Sequence, residues 1–217
     1  AKTLCQIANQ YGCINIVDAV TSLAGSELRV DDWGIDAIYS GSQKCLSAMP
    51  GLSPVSFSDR AIEKLTNRKT PVTSWFLDLN LVMGYWGKGA KRAYHHTAPV
   101  NTLYGLHESL VMLTEEGIEN SWSRHQQNHI LLRDGLNKLG IDYLVDEASR
   151  LPQLNSVLIP QNQDDLGVRS SLLKNYNIDI GAGLGPLEGK IWRIGLMGYT
   201  SRKDNIELLL SALKDTL

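Results

Sequence analysis

The sequence predicts an α/β fold in two parts: a parallel-rich sheet domain over residues 1–116 and a smaller α+β domain over residues 117–217. Three observations predict it. Strand-like runs alternate with helical stretches through the first part, as in a sheet of crossover-connected strands. The run Ile14-Asn15-Ile16-Val17-Asp18-Ala19-Val20 is short, apolar and β-branched, like a buried strand, and carries a single acid towards its end. The second part mixes a few strand-like runs with long helical patterns, and neither part shows an internal repeat or a low-complexity linker.

The elements follow in order. Leu4, Ile7 and Ala8 share one side of an opening helix that leads into the Asp18 strand. A loop rich in Gly25, Asp31, Asp32 and Gly34 precedes a second strand, Ile38–Ser42. The segment Pro54-Val55-Ser56-Phe57-Ser58 runs into a helix with Ser58 as N-cap and Asp59 favourable in its first turn. Leu103, Leu106, Leu110 and Leu113 form one helical face, which Gly117 interrupts. A further helix carries Ile130, Leu131, Gly135, Leu136 and Leu139 and stops at Gly140. Tyr143-Leu144-Val145, Ser156–Pro160 and Lys190–Leu196 read as strands, with a helix over Val168–Tyr176 and a closing helix from Asp204.

Composition excludes several function classes. The chain has 217 residues, of which 43% are hydrophobic and 20% charged, an ordinary globular balance with ample core. The net charge of −2 is spread through both signs, so no basic footprint for nucleic acid is present. Lys64, Arg68 and Lys69 form a local cluster that reads as a solvated helix end. No apolar run approaches the roughly 20 residues needed to span a bilayer. The cysteines, Cys5, Cys13 and Cys45, are odd in number and lie in no metal or redox spacing, which favours a reducing compartment. A cytoplasmic location is expected, with peroxisome or mitochondrion left open.

The chemistry centres on Asp18 and Lys44. Both follow strand-like runs, and ligands of open α/β sheets collect outside the carboxyl ends of strands. An acid and a lysine at that edge suit pyridoxal phosphate: the amine forms a Schiff base and the carboxylate pairs with the pyridinium nitrogen. Spacing alone equally allows a surface lysine and an aspartate capping a turn.

Val17-Asp18-Ala19-Val20-Thr21-Ser22-Leu23, Ser40-Gly41-Ser42-Gln43-Lys44 and Tyr94-His95-His96-Thr97 resemble the class V aminotransferases of fold type I, on the alanine–glyoxylate and serine–pyruvate branch. The resemblance continues through Gly181-Ala182-Gly183-Leu184-Gly185-Pro186 and Trp192–Gly198, so it involves nearly the whole chain. It implies the C-terminal part of the pyridoxal-phosphate-dependent fold and pyridoxal 5'-phosphate as cofactor. Lys44 is then the catalytic lysine, and Asp18, Val20, Gln43, Lys44, Tyr94 and Thr97 bind the cofactor. The Tyr94 and Thr97 hydroxyls would reach the phosphate of the neighbouring subunit, so a homodimer with shared sites is implied. Arg193, set among Ile191, Trp192, Ile194 and Leu196, would hold the substrate carboxylate with its planar fork; otherwise it is an outward-facing strand arginine. The family also carries an N-terminal half with a glycine-rich phosphate loop and an aromatic ring that stacks on the cofactor. Neither is visible here, and the chain starts at Ala1 within a helical pattern, so it reads as part of a longer protein.

The implied reaction moves an amino group from a small amino acid, alanine or serine, to a 2-oxo acid, glyoxylate or pyruvate. Lys44 shuttles the α-proton, Asp18 keeps the ring nitrogen protonated and Arg193 orients the substrate, in a two-half, ping-pong cycle. A related transaminase with a larger donor such as 3-hydroxykynurenine, and a non-catalytic fragment if the native chain is this short, are the competing readings. Other signals are set aside. Gly181–Gly185 lacks dinucleotide spacing and reads as a flexible turn where backbone nears substrate. His125 and His129 stand i, i+4 but have Gln126 where a zinc protease has Glu, and no metal is expected. Cys45 has no histidine marking it as a nucleophile, the five tryptophans read as core or interface, and His95 and His96 are too close in sequence to share one face if extended.

Overall fold

A computed structural model of the chain describes residues 1–86 and 93–217. Helix α1 (Lys2–Gln10) leads into strand β1 (Ile16–Asp18), and residues 19–36 cross over to β2 (Ala37–Tyr39). The two strands are parallel, with Ile16 beside Ala37 and Asp18 beside Tyr39. Strand β3 (Val55–Phe57) then pairs antiparallel with the far edge of β2, giving the order β1-β2-β3.

This corrects the expectation of a parallel-rich sheet. Among the described residues the sheet is mixed and three-stranded, with a single parallel pair. The reason lies in the connection between β2 and β3. Ser40 N donates to Pro54 O and Ser42 N to Leu52 O, so the chain doubles back along β2 instead of crossing over. The opening helix also departs from expectation. Its buried residue is Cys5, whereas Leu4 and Ile7 are exposed, because none of the described residues covers that side.

The register of β1 on β2 is locked at the strands' amino ends. Asp36, 4% exposed, accepts from Asn15 N, Asn15 Nδ2 and Ser58 Oγ, each at 3.0 Å. Arg60 donates to it through Nε at 2.9 Å and again through Nη2. Asp36 N in turn donates to Asn15 Oδ1 at 3.0 Å. Ser58 also caps α2 (Asp59–Thr66), its Oγ accepting from Ala61 N, as the sequence predicts. One carboxylate therefore ties β1, β2 and α2 together.

Helix α3 (Leu79–Trp86) has no counterpart in the sequence reading. Helix α4 (Val100–Glu116) ends at Gly117, whose φ of +84° is easily reached only by glycine, and α5 (Ile118–Lys138) starts at once. The leucine face of α4 divides: Leu106 and Leu113 pack on Ala24, Cys45 and Leu46, while Leu103 and Leu110 are exposed.

Strand β4 (Leu154–Leu158), helix α6 (Asp165–Tyr176), strands β5 (Gly181–Ala182) and β6 (Ile191–Gly195) and helix α7 (Lys203–Thr216) complete the chain. The sheet is antiparallel in the order β4-β6-β5. Tyr143-Leu144-Val145 shrinks to a single bridge, Tyr143 to Val157, and Gly181–Ala182 is strand where a flexible turn was expected. Trp192, fully buried, anchors the core with Leu132, Leu136, Val157 and Leu213, and its indole N–H donates to Asp165 Oδ1 at 3.0 Å. Of the other tryptophans, Trp33 is half-buried in the core beneath β1, and Trp75 is exposed and stacks on His95.

His125, fully buried on α5, fastens the turn that follows β6. Its Nδ1–H donates to Ser121 O at 2.7 Å and its Nε2 accepts from Gly198 N at 2.9 Å, a pattern only the neutral ring satisfies. Burial lowers its pKa below 6.5. His129 packs against Tyr143 and shares its Nδ1 with Asn155 Oδ1 at 2.6 Å, and burial lowers its pKa too. The i, i+4 pair is thus engaged with protein groups.

Two outcomes are expected. The Asp36 carboxyl is held at about 2, against 3.8 ordinarily, chiefly by the Arg60 hydrogen bonds. Its contribution, about 2 kcal/mol by linkage, is complete above pH 4 and lost as pH falls towards 2. Asp36→Asn should therefore unfold at lower urea than wild type at pH 7, with the gap closing below pH 3. For His125, the unfolded chain takes up a proton near pH 6.5 that the folded chain resists, so stability falls with pH below that point. Denaturant titrations of His125→Gln should show a flatter acid limb, the residue of the slope coming from His129, and a loss of about 2 kcal/mol at pH 7 from the weakened Gly198 N–H contact.

Candidate active site

The carboxyl ends of β1 and β2 open onto one edge, and the parallel register sets Asp18 beside Tyr39 there. Asp18 Oδ2 accepts from the Tyr39 hydroxyl and Oδ1 from Val20 N, both at 2.8 Å. Each carboxylate oxygen keeps further acceptor capacity. The bond to Asp18 raises the Tyr39 pKa, so the phenol stays a donor at neutral pH. The sequence reading missed Tyr39; the signal available was its place immediately before Ser40-Gly41 at the end of the second strand.

Lys44 lies in the turn that follows β2, half-buried, its side chain without a hydrogen bond or ion pair among the described residues. The turn is pinned to the loop after β1. Ser40 Oγ donates to Ala19 O at 2.9 Å, and Cys45 Sγ approaches Thr21 O at 3.4 Å. Ser42 is fully buried and its hydroxyl donates to Met49 O at 2.6 Å. Gln43 is exposed, and its amide folds over Gly41, where an added Cβ would stand 2.7 Å from Oε1. Burial pushes the Cys45 thiol up to about 11, so it stays protonated and does not serve as a nucleophile at neutral pH.

Asp18 ends β1 and Val20 lies in the loop after it, and that loop is fastened to the turn that carries Gln43 and Lys44. Among the described residues no hydrogen bond ties Tyr94 or Thr97 to them. Those two hydroxyls meet each other at 2.5 Å and are exposed. Between them, His95 stacks on Trp75 with centroids 4.0 Å apart. His95 and His96 share a hydrogen bond between their Nδ1 atoms at 2.8 Å, because the chain bends there and is not extended.

Arg193 sits on β6, its flanking residues Trp192 and Ile194 buried and its own side chain half-buried. Nε donates to Ala182 O at 2.7 Å, and Gly181, opposite in register, leaves room for the guanidinium. With Nε engaged, the two terminal nitrogens have no hydrogen bond among the described residues and form an end of the fork suited to grip a carboxylate. No bond links Arg193 to Asp18 or Lys44 among the described residues.

A cavity of about 470 Å³ lies behind the Lys44 turn, lined by Cys45, Ser47, Glu116, Arg124 and Gly198 among others, but not by Asp18, Lys44 or Arg193. Part of its charged wall is engaged internally: Arg124 forks onto Glu116 and also donates to Gly198 O and Ser201 O. The cavity therefore stands apart from the candidate site.

No described helix is long and apolar enough to cross a membrane. The aminotransferase class-V family profile matches residues 1–208. The alanine–glyoxylate aminotransferase of Callithrix jacchus is 44% identical over 214 residues, covering 98% of this chain and 52% of that protein. The crystal structure of an alanine–glyoxylate aminotransferase from Nostoc sp. superposes with a TM-score of 0.94 at 45% identity, over 98% of this chain and 56% of that one. The ureidoglycine–glyoxylate aminotransferase of Bacillus subtilis superposes at 0.95 with 36% identity, over 100% of this chain and 55% of that one. The chain spans about half the length of the curated relatives it matches. With a family match across almost its whole length, this chain belongs to the class-V aminotransferases.

Proposed function

We propose that this chain carries the lysine-bearing part of a pyridoxal-phosphate-dependent transaminase site acting between a small amino acid, alanine or serine, and a 2-oxo acid, glyoxylate or pyruvate. The observation that carries this reading is the joining of the Asp18 and Lys44 loops at the carboxyl edge of β1 and β2. Glyoxylate is the better supported acceptor, since relatives of both kinds are named for it while their donors differ.

The residues fit the cofactor. Asp18, steadied by Val20 N and Tyr39, has acceptor capacity left for a ring N–H, and Gln43 brings an amide donor. When bound, pyridoxal phosphate supplies a carbonyl for an amine to attack and a ring that accepts electrons. Lys44 offers that amine and afterwards carries the α-proton of the donor amino acid as a general base and acid. Arg193 fixes the substrate carboxylate through its free terminal nitrogens, which orients the α-hydrogen for removal.

Tyr94 and Thr97 are read as donors to the cofactor phosphate of a second subunit. Their exposure supports a role in trans. A division into two domains at 116/117 is part of this reading, and the end of α4 with the turn at Gly117 supports it.

Borohydride reduction of the cofactor-loaded full-length protein followed by peptide mapping tests the site. The label should fall on Lys44, and Lys44→Ala should abolish the absorbance of the lysine–cofactor linkage. Label on Lys88 or Lys91, which lie outside the described residues, overturns the assignment.

Subunit mixing tests the shared site. A Lys44→Ala parent and a Tyr94→Phe/Thr97→Ala parent should each be nearly inactive, while their heterodimer regains about half of normal activity because one of its two sites is whole. Verified subunit exchange without recovery of activity refutes donation across the interface.

A further inference from the structure

Three residues beyond Lys44, Ser47 adopts φ +64°, a left-handed backbone that an L side chain rarely takes. The surrounding structure must impose it. Ser47 N closes the turn onto Lys44 O at 3.0 Å, and Ala48 N closes it onto Ser42 O at 3.0 Å. The hydroxyl of Ser47 faces away from the turn and accepts from Tyr199 N at 2.7 Å, across 152 residues of sequence. Gly198, beside Tyr199, has φ +59°, and a Cβ there would stand 1.9 Å from Ser47 Oγ and 3.0 Å from Cys45 O. Gly198 is itself held by His125 at its N–H and by Arg124 at its carbonyl.

We propose that Ser47 is a positioning residue for Lys44: the clasp running from His125 through Gly198 and Tyr199 to the Ser47 hydroxyl holds the left-handed turn that aims the lysine at the strand edge. The proposal rests on the reading of Lys44 as the cofactor-binding lysine. Ser47 contributes no atom to the cofactor; it narrows the conformations open to the backbone that bears the amine. The requirement for a glycine at 198 follows, since any side chain there would push Ser47 out of the clasp. The serine is also replaceable by one other kind of residue. Asparagine tolerates left-handed backbone and carries an acceptor oxygen, whereas glycine supplies only the backbone freedom and alanine neither.

The test compares full-length wild type with Ser47→Ala, Ser47→Gly and Ser47→Asn in two measurements on protein verified as folded. The first is the rate at which the lysine linkage forms with pyridoxal phosphate. The second is the affinity for pyridoxamine phosphate, which has the same ring and phosphate but no carbonyl for a lysine to attack. Loss of one hydrogen bond of ordinary net strength should slow linkage about tenfold in Ser47→Ala and Ser47→Gly. Pyridoxamine phosphate affinity should stay within about twofold of wild type, because its contacts do not involve Lys44's aim. Ser47→Asn should restore the linkage rate to near wild type.

If linkage proceeds at the wild-type rate in both Ser47→Ala and Ser47→Gly, Ser47 does not position Lys44 and the proposal fails. A parallel fall in linkage rate and pyridoxamine phosphate affinity also overturns it, since that marks general collapse of the site. Failure of the parent reading is separately visible: borohydride would then label a lysine other than Lys44 in the wild type itself.

Discussion

The Asp36 carboxylate is the constraint on which the rest of the site depends. A parallel pair of three-residue strands has little backbone bonding to fix its register, and a slip of one residue turns every side chain to the opposite face. Asp36 and Asn15 remove that freedom by bonding reciprocally at the strands' amino ends, with Ser58 and Arg60 completing the shell. The effect is felt at the other end. Because Asp18 pairs with Tyr39 and not with a neighbour, the phenol reaches the carboxylate, and the loops bearing Val20 and Lys44 leave the sheet side by side. A buried ion pair is often neutral for stability, and its attested benefit is specification of register. Arg60 is partly exposed, which reduces the desolvation cost of the arrangement here.

The second structural theme is the seam between the two sheets. Small polar residues make it: Ser121 Oγ donates to Ala24 O, Ser26 Oγ to Gln153 Oε1, and Ser47 Oγ accepts from Tyr199 N. Glycine permits the closest approaches, with Gly25 against Cys45 and Gln153, and Gly198 against Ser47. Hydroxyl bonds of this kind are directional and individually modest, about 1 kcal/mol each, so the seam specifies an orientation more than it adds stability. It leaves the Gln153 Nε2 and Trp122 Nε1 donors, both buried, without partners among the described residues. The neutral ring of His125 belongs to the same seam, which makes that interface sensitive to acid.

Exposed apolar residues mark what these residues do not cover by themselves. Leu4, Tyr11 and Ile16 stand 73%, 80% and 70% exposed along α1 and β1, an edge strand among the described residues. The C-terminal sheet has a closed core and the first sheet does not. The tightest packing lies around Trp192.

Much of this was legible in local sequence. The Ser58 cap, the breaks at Gly117 and Gly140, the helices near Val168–Tyr176 and from Asp204, and the placing of Asp18 and Lys44 just beyond strand-like runs all rest on neighbours within a turn or two. These signals are short-range, so a linear reading recovers them. Tertiary structure alone decided the rest. The antiparallel return of β3, the outward turn of Leu103 and Leu110, the phenol on Asp18 and the left-handed turn at Ser47 each depend on a partner distant in the chain. The bond from Gly198 N to His125 spans 73 residues and that from Tyr199 N to Ser47 spans 152. A serine or a histidine has no period to betray such a partner, whereas an apolar stripe has one. The physical reason is that periodicity records which face of an element is buried, while the position of a single donor or acceptor is fixed only when two remote segments pack together.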